Sequence, residues 1–336
     1  MKVVEISKAA PRLNLRVAER DDPPPPGRGE IKVRIRASSL NYHDYGVVAM
    51  ASGRDCDGLI PLSDGAGEVL EIGEGVTDFA VGDLVISTFF PVPPTGGDLP
   101  ILFAHVPGDG VDGFACEKVT RPASHFTRAP TGWSVAEAAT VSCAGLTAWR
   151  ALFVDGGLVP GRTVLVQGTG GVSIYALQLA KAAGCTVIAT SSSNAKLERL
   201  KAMGADHLIN YRDTPEWGAA ACALTGGRGV DHVVEIGGAN TLPQSMKACA
   251  FGGHIAVIGT LAGYAGELPT VMLLARQIRM QGLLVGSPAQ QRDLVTALEV
   301  NGIRPIIDTH FPLDDLAAAF EHQVAGRHFG KIAIDI

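Results

Sequence analysis

The stretch TVLVQGTGGVSIYALQLAKAAGC, residues 163–185, decides the fold. TVLVQG (163–168) reads as a buried strand running into a tight glycine turn, and the residues from Gly171 onward read as a helix. In that helix Val172, Ala176, Leu179 and Ala183 recur on one stripe while Gln178 and Lys181 fall away from it, so one face is expected to pack on a sheet. Gly168 permits the turn, Gly170 lets the backbone approach a pyrophosphate, and the helix start offers free N–H donors and a positive dipole end. Thr169, Gly171 and Val172, in the turn and at the helix start, join Gly168 and Gly170 as candidate cofactor-binding residues. Ser173 stands where the third glycine of G-x-G-x-x-G would be, and it is small enough for close helix-to-strand packing. Glycine turns between strand and helix are common, so a dinucleotide site follows only if the unit repeats; the alternative is a purely structural turn.

The unit does repeat. From Pro130 onward, CTVIATS (185–191), DHLIN (206–210), GVDHVVEIGG (229–238), GGHIAVIGT (252–260) and QGLLVGS (281–287) alternate with amphipathic segments, one of them starting at Asn194. This predicts an α/β fold, a doubly wound parallel sheet covered on both faces. A helix over 290–301, the run RPIIDTHFP and the strand GKIAIDI are expected to return to an earlier domain. That first domain reads as mainly antiparallel β: IKVRIRAS (31–38), GAGEVLEIG (65–73) and DLVISTFF (83–90) alternate and are bounded by turn residues. DDPPPPGRGE (21–30) is a surface loop, because proline fixes φ and lacks a donor. PVPPTGGDLP (91–100) reads as a second loop, either a lid, a dimer contact or an excursion without a role. The expected division is residues 1–126 with 288–336, and residues 127–287.

A length of 336 residues supports two domains, and 46% hydrophobic with 18% charged residues excludes an intrinsically disordered chain. Lys plus Arg number 28 against 34 Asp plus Glu, a net charge of −6 without any basic run, so nucleic acid is not an expected partner. Mean hydropathy is +0.21, yet every apolar segment is broken before the roughly 20 residues a membrane span needs. MKVVEISKAAP reads as a strand rather than a leader, which points to the cytoplasm. Six scattered cysteines without a C-x-x-C argue against a disulfide framework or a cysteine-built zinc lobe, and most are expected to be small buried hydrophobes.

Cofactor choice is read at the end of the second strand of the repeating series. An acidic residue there would hold the ribose hydroxyls of NAD, but Ala189 to Lys196 contains no carboxylate. Ser191, Ser192 and Lys196 can instead receive a 2′-phosphate, which favours NADP(H) over NAD(H). The alternative is that Ser193 or Asn194 caps a helix and Lys196 is a solvated first-turn residue.

LSDGAGEVLEIGEGVTDFAVGDLVI, SCAGLTAWRAL, VLVQGTGGVSIYALQLAKAAG, GGRGVDHVVE and HFGKIAIDI occur in the order of recurring blocks in one large family. Over nearly its whole length the chain resembles the medium-chain dehydrogenase/reductase superfamily, a Rossmann domain joined to a GroES-like catalytic domain, and looks most like its zinc-free, quinone-oxidoreductase-like branch. At the positions of the family's three catalytic zinc ligands stand Asn41, Ser63 (followed by Asp64) and Cys143, and one thiolate with an amide does not hold a catalytic zinc. No metal is therefore expected. His43 and Asp44 lie nearby, and a lone histidine there reads as a pocket or surface residue.

The resemblance implies further roles. Asn41 matches a pocket asparagine that can donate to a substrate carbonyl, and Tyr42 and Tyr45 are phenolic donors beside it whose alternative is ring packing in the core. Thr147 matches a threonine beside the nicotinamide, or packs as a β-branched residue; Gly237 and Gly259 end strands bordering the cofactor crevice. Tyr211 resembles a position near the adenosine phosphate, and Lys331 either approaches the cofactor or merely enters an edge strand.

Without a Lewis acid an alcohol is hard to oxidise, whereas a quinone or an activated alkene accepts hydride readily, its developing oxyanion needing only hydrogen-bond donors. The expected function is NADPH-dependent reduction of a quinone or an α,β-unsaturated carbonyl compound. The alternatives are an alcohol, aldehyde or ketone oxidoreductase of the same superfamily, and a nucleotide-binding relative without enzymatic activity. The resemblance also implies a homodimer through the last Rossmann strand, near Gly282 to Gly286.

Overall fold

A computed structural model describes residues 1–10, 13–49, 53, 55–91 and 103–336. The expected loop 91–100 lies, apart from Pro91, outside the described residues. In chain order come β1 (Lys2–Ile6), β2 (Leu15–Glu19), β3 (Glu30–Ser39), α1 (Tyr42–Val48), β4 (Ala66–Ile72), β5 (Leu84–Ser87), β6 (Lys118–Pro122), β7 (Phe126–Arg128) and α2 (Val135–Ala139). A continuous helical stretch follows, π-helical over Val141–Gly145 and Arg150–Val154, with α3 (Leu146–Trp149) between. Then come β8 (Thr163–Gln167), α4 (Gly171–Ala182), β9 (Thr186–Ser191), α5 (Asn194–Ala202), β10 (His207–Asn210), α6 (Trp217–Leu224) and β11 (Val230–Glu235). The chain closes with α7 (Leu242–Ala248), β12 (Cys249–Val257), α8 (Thr270–Arg276), β13 (Arg279–Gly282), α9 (Pro288–Val300), β14 (Ile307–Pro312), α10 (Leu316–Val324) and β15 (Lys331–Asp335).

The chain divides into two compact units, Met1–Leu146 with Val285–Ile336, and Thr147–Leu284. The sequence reading puts the first boundary at 126/127, shortly before the texture of the chain changes at Pro130. Residues 127–146 belong with the first unit by packing, because β7 pairs with β5 and the Ser39 hydroxyl donates to the Ala139 carbonyl at 3.1 Å.

In the first unit the sheet order is β14-β15-β3-β4-β5-β7, with β6 also paired to β3 and β1-β2 forming a separate hairpin. Alternation decides which side of β3 is core: Ile31, Val33, Ile35 and Ala37 are buried at 1% exposure or less, while Lys32, Arg34 and Arg36 lie on the other face. The sheet is not purely antiparallel. β14 and β15 run parallel, joined through α10 as a crossover, which a two-residue hairpin cannot supply. β15 lies between β14 and β3, so Lys331 opens an interior strand, not an edge strand.

The second unit is a single parallel sheet in the order β10-β9-β8-β11-β12-β13. Every residue of β8 and β11 is buried. Val164 and Val166 point opposite to Leu165, and all three have 0% exposure, so both faces of the sheet are covered. This is the doubly wound α/β architecture, with the strand order reversing between β8 and β11. The buried face of α4 is wider than the expected stripe. Val172 and Ala183 are only half-buried, while Ser173, Ile174, Tyr175 and Leu177 join Ala176, Leu179 and Ala180 inside. The last strand covers 279–282, earlier than the apolar run 281–287 suggests; all four of its residues are exposed, and it forms one edge of the sheet.

Four cysteines (Cys56, Cys116, Cys185 and Cys249) are buried and Cys143 and Cys222 half-buried, none in a disulfide. Burial pushes the Cys116 and Cys249 thiols up to about 12, as expected for inert core residues.

Candidate functional site

In a parallel sheet all carboxyl ends lie at one edge, and the second unit gathers there nearly every residue singled out for cofactor binding. Gly168 to Val172 follow β8, Ser191 ends β9 and Ser192 follows it, Tyr211 follows β10, Gly237 follows β11 and Gly259 follows β12. Gly168 has φ +69°, a left-handed conformation that suits glycine. A Cβ built on Gly170 would meet nothing within 4 Å, and Gly170 caps α4 with no side-chain partner. The result is open space in front of an uncapped helix start of a 12-residue helix, which fits a pyrophosphate. Ser173, fully buried, donates its hydroxyl to the Gln167 carbonyl at 2.5 Å, so the substituted third glycine ties the helix to the end of β8.

At the end of β9, the Ser191 hydroxyl accepts from the Ser193 N–H at 3.2 Å, and the Ser193 hydroxyl accepts from the Lys196 N–H at 3.4 Å. The capping reading and the phosphate reading therefore use different atoms: Ser193 caps α5, while Ser192 and the Lys196 side chain are half-buried at its first turn. Tyr211 is 41% exposed, its N–H on the Ser191 carbonyl at 3.1 Å. Thr147, on α3, is buried at 3% exposure. At the end of β12 a Cβ on Gly259 would come within 2.3 Å of the Ile236 carbonyl, so only glycine fits that approach.

Sequence reasoning missed Glu235 and Gln167, the last residues of β11 and β8. Glu235 has 0% exposure, and its carboxylate accepts from the Gly237 and Gly238 N–H groups, the Thr241 and Ser245 hydroxyls and the Gln167 amide. The available signal was a carboxylate set between two apolar residues and the glycine pair that ends the run, in HVVEIGG.

In the first unit α1 and the chain before β4 build a second polar cluster. Asn41 precedes α1, its N–H on Asp44 Oδ2 at 2.9 Å, and Asp44 Oδ1 accepts from the Ser63 N–H at 2.9 Å. Burial, and then the neighbouring Asp64, raise the Asp44 carboxyl above the usual carboxylate range, against the pull of His43 and its hydrogen bonds. Asn41 Nδ2 donates to Asp64 Oδ2 at 2.8 Å and toward Ser63 Oγ at 3.4 Å; the Ser39 hydroxyl reaches the same Asp64 oxygen at 2.6 Å. Lys331 projects into this cluster. Its ammonium donates to Asn41 Oδ1 at 2.6 Å, the Leu40 carbonyl at 2.7 Å and Asp64 Oδ2 at 3.4 Å. Both ends of the Asn41 amide are thus engaged within this unit. Tyr42 is 49% exposed, whereas Tyr45 is half-buried with its ring against Phe320. His43 lies 3.3 Å from Asp109 and stacks on Phe103.

This donor set does not fit the catalytic zinc of the resembling family. Two of the three ligand positions hold Asn41 and Ser63, the ammonium of Lys331 already supplies a positive charge among them, and no group of three or more His, Cys, Asp or Glu suited to a metal ion stands together among the described residues. No helix among the described residues is long and apolar enough to cross a membrane.

Residues 27–131 match the family model described as the alcohol dehydrogenase GroES-like domain, and residues 171–300 match that of the zinc-binding dehydrogenase. The chain is 40% identical over 323 residues to a zinc-type alcohol dehydrogenase-like protein of Schizosaccharomyces pombe, covering 92% of this chain and 91% of that protein. Among solved structures it is similar to one from Sinorhizobium meliloti 1021, provisionally named an alcohol dehydrogenase, with 42% identity, a TM-score of 0.92 and coverage of 100% and 98%. It is also similar to an NAD-dependent alcohol dehydrogenase, with 32% identity, a TM-score of 0.90 and 100% coverage of both chains.

Proposed function

Since the chain belongs to the medium-chain dehydrogenase/reductase superfamily as a zinc-type alcohol dehydrogenase-like oxidoreductase, we propose that it is an NADPH-dependent member that works without zinc and reduces a quinone or an α,β-unsaturated carbonyl compound. One observation carries the finer part of this reading: Lys331 fills with an ammonium the cluster of Asn41, Ser63 and Asp64 where the family's metal ligands would stand. An alcohol then has no Lewis acid to lower its pKa, and acceptors whose developing oxyanion needs only hydrogen bonds are favoured.

The bound nicotinamide supplies the hydride. The first-turn N–H groups of α4 and the open backbone at Gly170 hold the pyrophosphate, and Ser191, Ser192 and Lys196 hold the 2′-phosphate. Asn41 spends its amide protons on Asp64 and Ser63, so the hydroxyl of half-exposed Tyr42 is the better donor to the substrate oxygen, with solvent as the final proton source. The absence of a carboxylate from 189–196 supports NADPH; the similarity to an NAD-dependent alcohol dehydrogenase supports the alternative cofactor.

Steady-state assays with a quinone, an enone and a simple aldehyde, each with NADPH and NADH and with and without a chelator, test this reading. Turnover of quinone or enone with NADPH that survives chelation is the expected result. Turnover of the aldehyde alone, lost on chelation, would overturn it in favour of a metal-assisted alcohol dehydrogenase.

A further inference from the structure

The strand order of the second unit reverses between β8 and β11, which are hydrogen-bonded neighbours; their carboxyl ends are the two lips of the crevice in which a doubly wound sheet takes its ligand. Val234 pairs with Val166 in register, so Glu235 and Gln167 come next, side by side at those lips. Their side chains join. Gln167 Nε2 donates to Glu235 Oε2 at 2.7 Å and contacts Ser245 Oγ at 2.8 Å, while Gln167 Oε1 accepts from the Ile236 N–H at 3.3 Å. Glu235 Oε1 in turn accepts from Gly237 at 2.7 Å, Gly238 at 2.9 Å and the Thr241 hydroxyl at 2.6 Å, and the Ser245 hydroxyl donates to Oε2.

No cation pairs with this carboxylate among the described residues, although it is fully buried. A buried carboxylate without a counter-charge is costly unless its lone pairs are filled, and here five donors fill them. The backbone it holds is tightly constrained. Gly238 has φ +86°, and a Cβ on it would lie 2.6 Å from the Gly263 carbonyl; one on Gly237 would lie 2.3 Å from Thr241 Oγ1. Gln167 is linked to the other lip as well, because its carbonyl accepts from Ser173 at the start of α4 and it directly precedes Gly168.

We propose that Glu235 and Gln167 form a positioning pair that sets the spacing between the Gly168 elbow and the Gly237–Gly238 turn, and thereby the affinity for the dinucleotide. The pair touches no reacting atom. Gln167 bridges from β8, Glu235 gathers the turn after β11, and the five donors leave one geometry in which all are satisfied. This inference rests on the reading of that crevice as the NADP(H) site.

The test is a reciprocal exchange in the full-length protein. Glu235→Gln and Gln167→Glu each place like partners against one another, whereas the double exchange restores one amide facing one carboxylate and still leaves an acceptor for Gly237 and Gly238. NADPH dissociation constants from titration calorimetry, KM and kcat with saturating enone, and melting temperatures are measured for each. The expected result is a loss of NADPH affinity of about tenfold or more in each single variant, a matching rise in KM for NADPH, a smaller change in kcat, and recovery to within about threefold in the double variant. Should a single variant fail to fold, Thr241→Val, which removes only one of the five donors at nearly constant volume, is expected to weaken NADPH binding by about threefold or more with a modest fall in melting temperature. Lowered melting temperatures with unchanged NADPH affinity would overturn the inference, since the pair would then only hold the fold together. A double variant as weak as the worse single variant would overturn it too. If the unaltered protein binds neither NADPH nor NADH, the reading of the crevice fails first and the inference falls with it.

Discussion

The Lys331 ammonium lies 3.4 Å from the Asp64 carboxylate, and the two side chains are 3% and 0% exposed. Two charges have left water together: the Leu40 carbonyl and Asn41 Oδ1 accept from the ammonium, and the Ser39 hydroxyl and Asn41 Nδ2 donate to Asp64 Oδ2, while the equally buried Asp64 Oδ1 has no hydrogen-bond partner among the described residues. Asp44 sits in the same cluster, where burial and then Asp64 raise its carboxyl toward the neutral form against the pull of His43.

Removing one member of such a pair exposes its full desolvation cost. Lys331→Met is expected to lower the stability of the protein by about 3–5 kcal/mol, measured by denaturant unfolding. The double substitution Lys331→Met with Asp64→Asn removes the stranded charge and is expected to recover a large part of that loss. Equal destabilisation by the single and double variants would show that the pair is not coupled.

Gly170 separates cofactor binding from folding. Its φ of −78° suits any residue, and a Cβ there would touch nothing within 4 Å, so Gly170→Ala is expected to leave the melting temperature nearly unchanged. The added methyl group occupies the space assigned to the pyrophosphate, and NADPH affinity should fall by about tenfold, or about 1.4 kcal/mol, in a fluorescence titration. Gly168→Ala should behave in the opposite way. At φ +69° it strains the turn by about 1–2 kcal/mol, and thermal melts should register that loss.

Discrimination between the cofactors is assigned to the end of β9. If Lys196 meets the 2′-phosphate, Lys196→Ala should raise KM for NADPH by roughly 10–100-fold, the equivalent of a charge-assisted hydrogen bond of about 1.5–3 kcal/mol, and leave KM for NADH almost unchanged. Ser192→Asp should repel the phosphate and favour NADH. Parallel losses for the two cofactors would remove Lys196 from the specificity site.

The second unit carries an acid-sensitive pair. His232 and His254 are register partners on β11 and β12 with ring centroids 6.0 Å apart, both in the buried interior. Burial foremost, with His254, Arg279 and Arg162 adding and Asp231 opposing, lowers His232 from 6.5 to about 4; burial and then Arg279 lower His254 also, against Asp155. Both rings are therefore neutral when folded at pH values where the unfolded chain has taken up protons. Stability from these groups is fully present above pH 6.5 and is lost as pH falls toward about 4. His232→Leu should flatten the decline in melting temperature over that interval. His125, lowered to about 4 chiefly by burial, leaves part of the slope in place.

The repeating strand-and-helix texture was legible because parallel strands buried on both faces favour runs of β-branched and apolar residues, as in Val164, Leu165 and Val166 of β8 and Val233 and Val234 of β11, although β11 also buries Asp231, His232 and Glu235. The elbow was legible for a related reason: a positive φ at Gly168 and open space at Gly170 leave their mark directly as glycines. Element ends were harder. The apolar run 281–287 reads as one strand, yet hydrogen bonding to β12 covers only 279–282, because pairing depends on a neighbour that local sequence does not display.

Residue pattern and chain order were thus enough to specify a doubly wound sheet with a glycine elbow at its switch point, and a mainly β unit whose alternation separates Ile31, Val33 and Ile35 from Lys32 and Arg34. They left open where Lys331 would go. It opens an interior strand and meets Asn41, 290 positions away, and Asp64, 267 positions away, while Gln167 finds Glu235 across 68 positions. Such meetings follow from strand order, register and the need to satisfy buried polar atoms, and those conditions exist only once the sheets have formed.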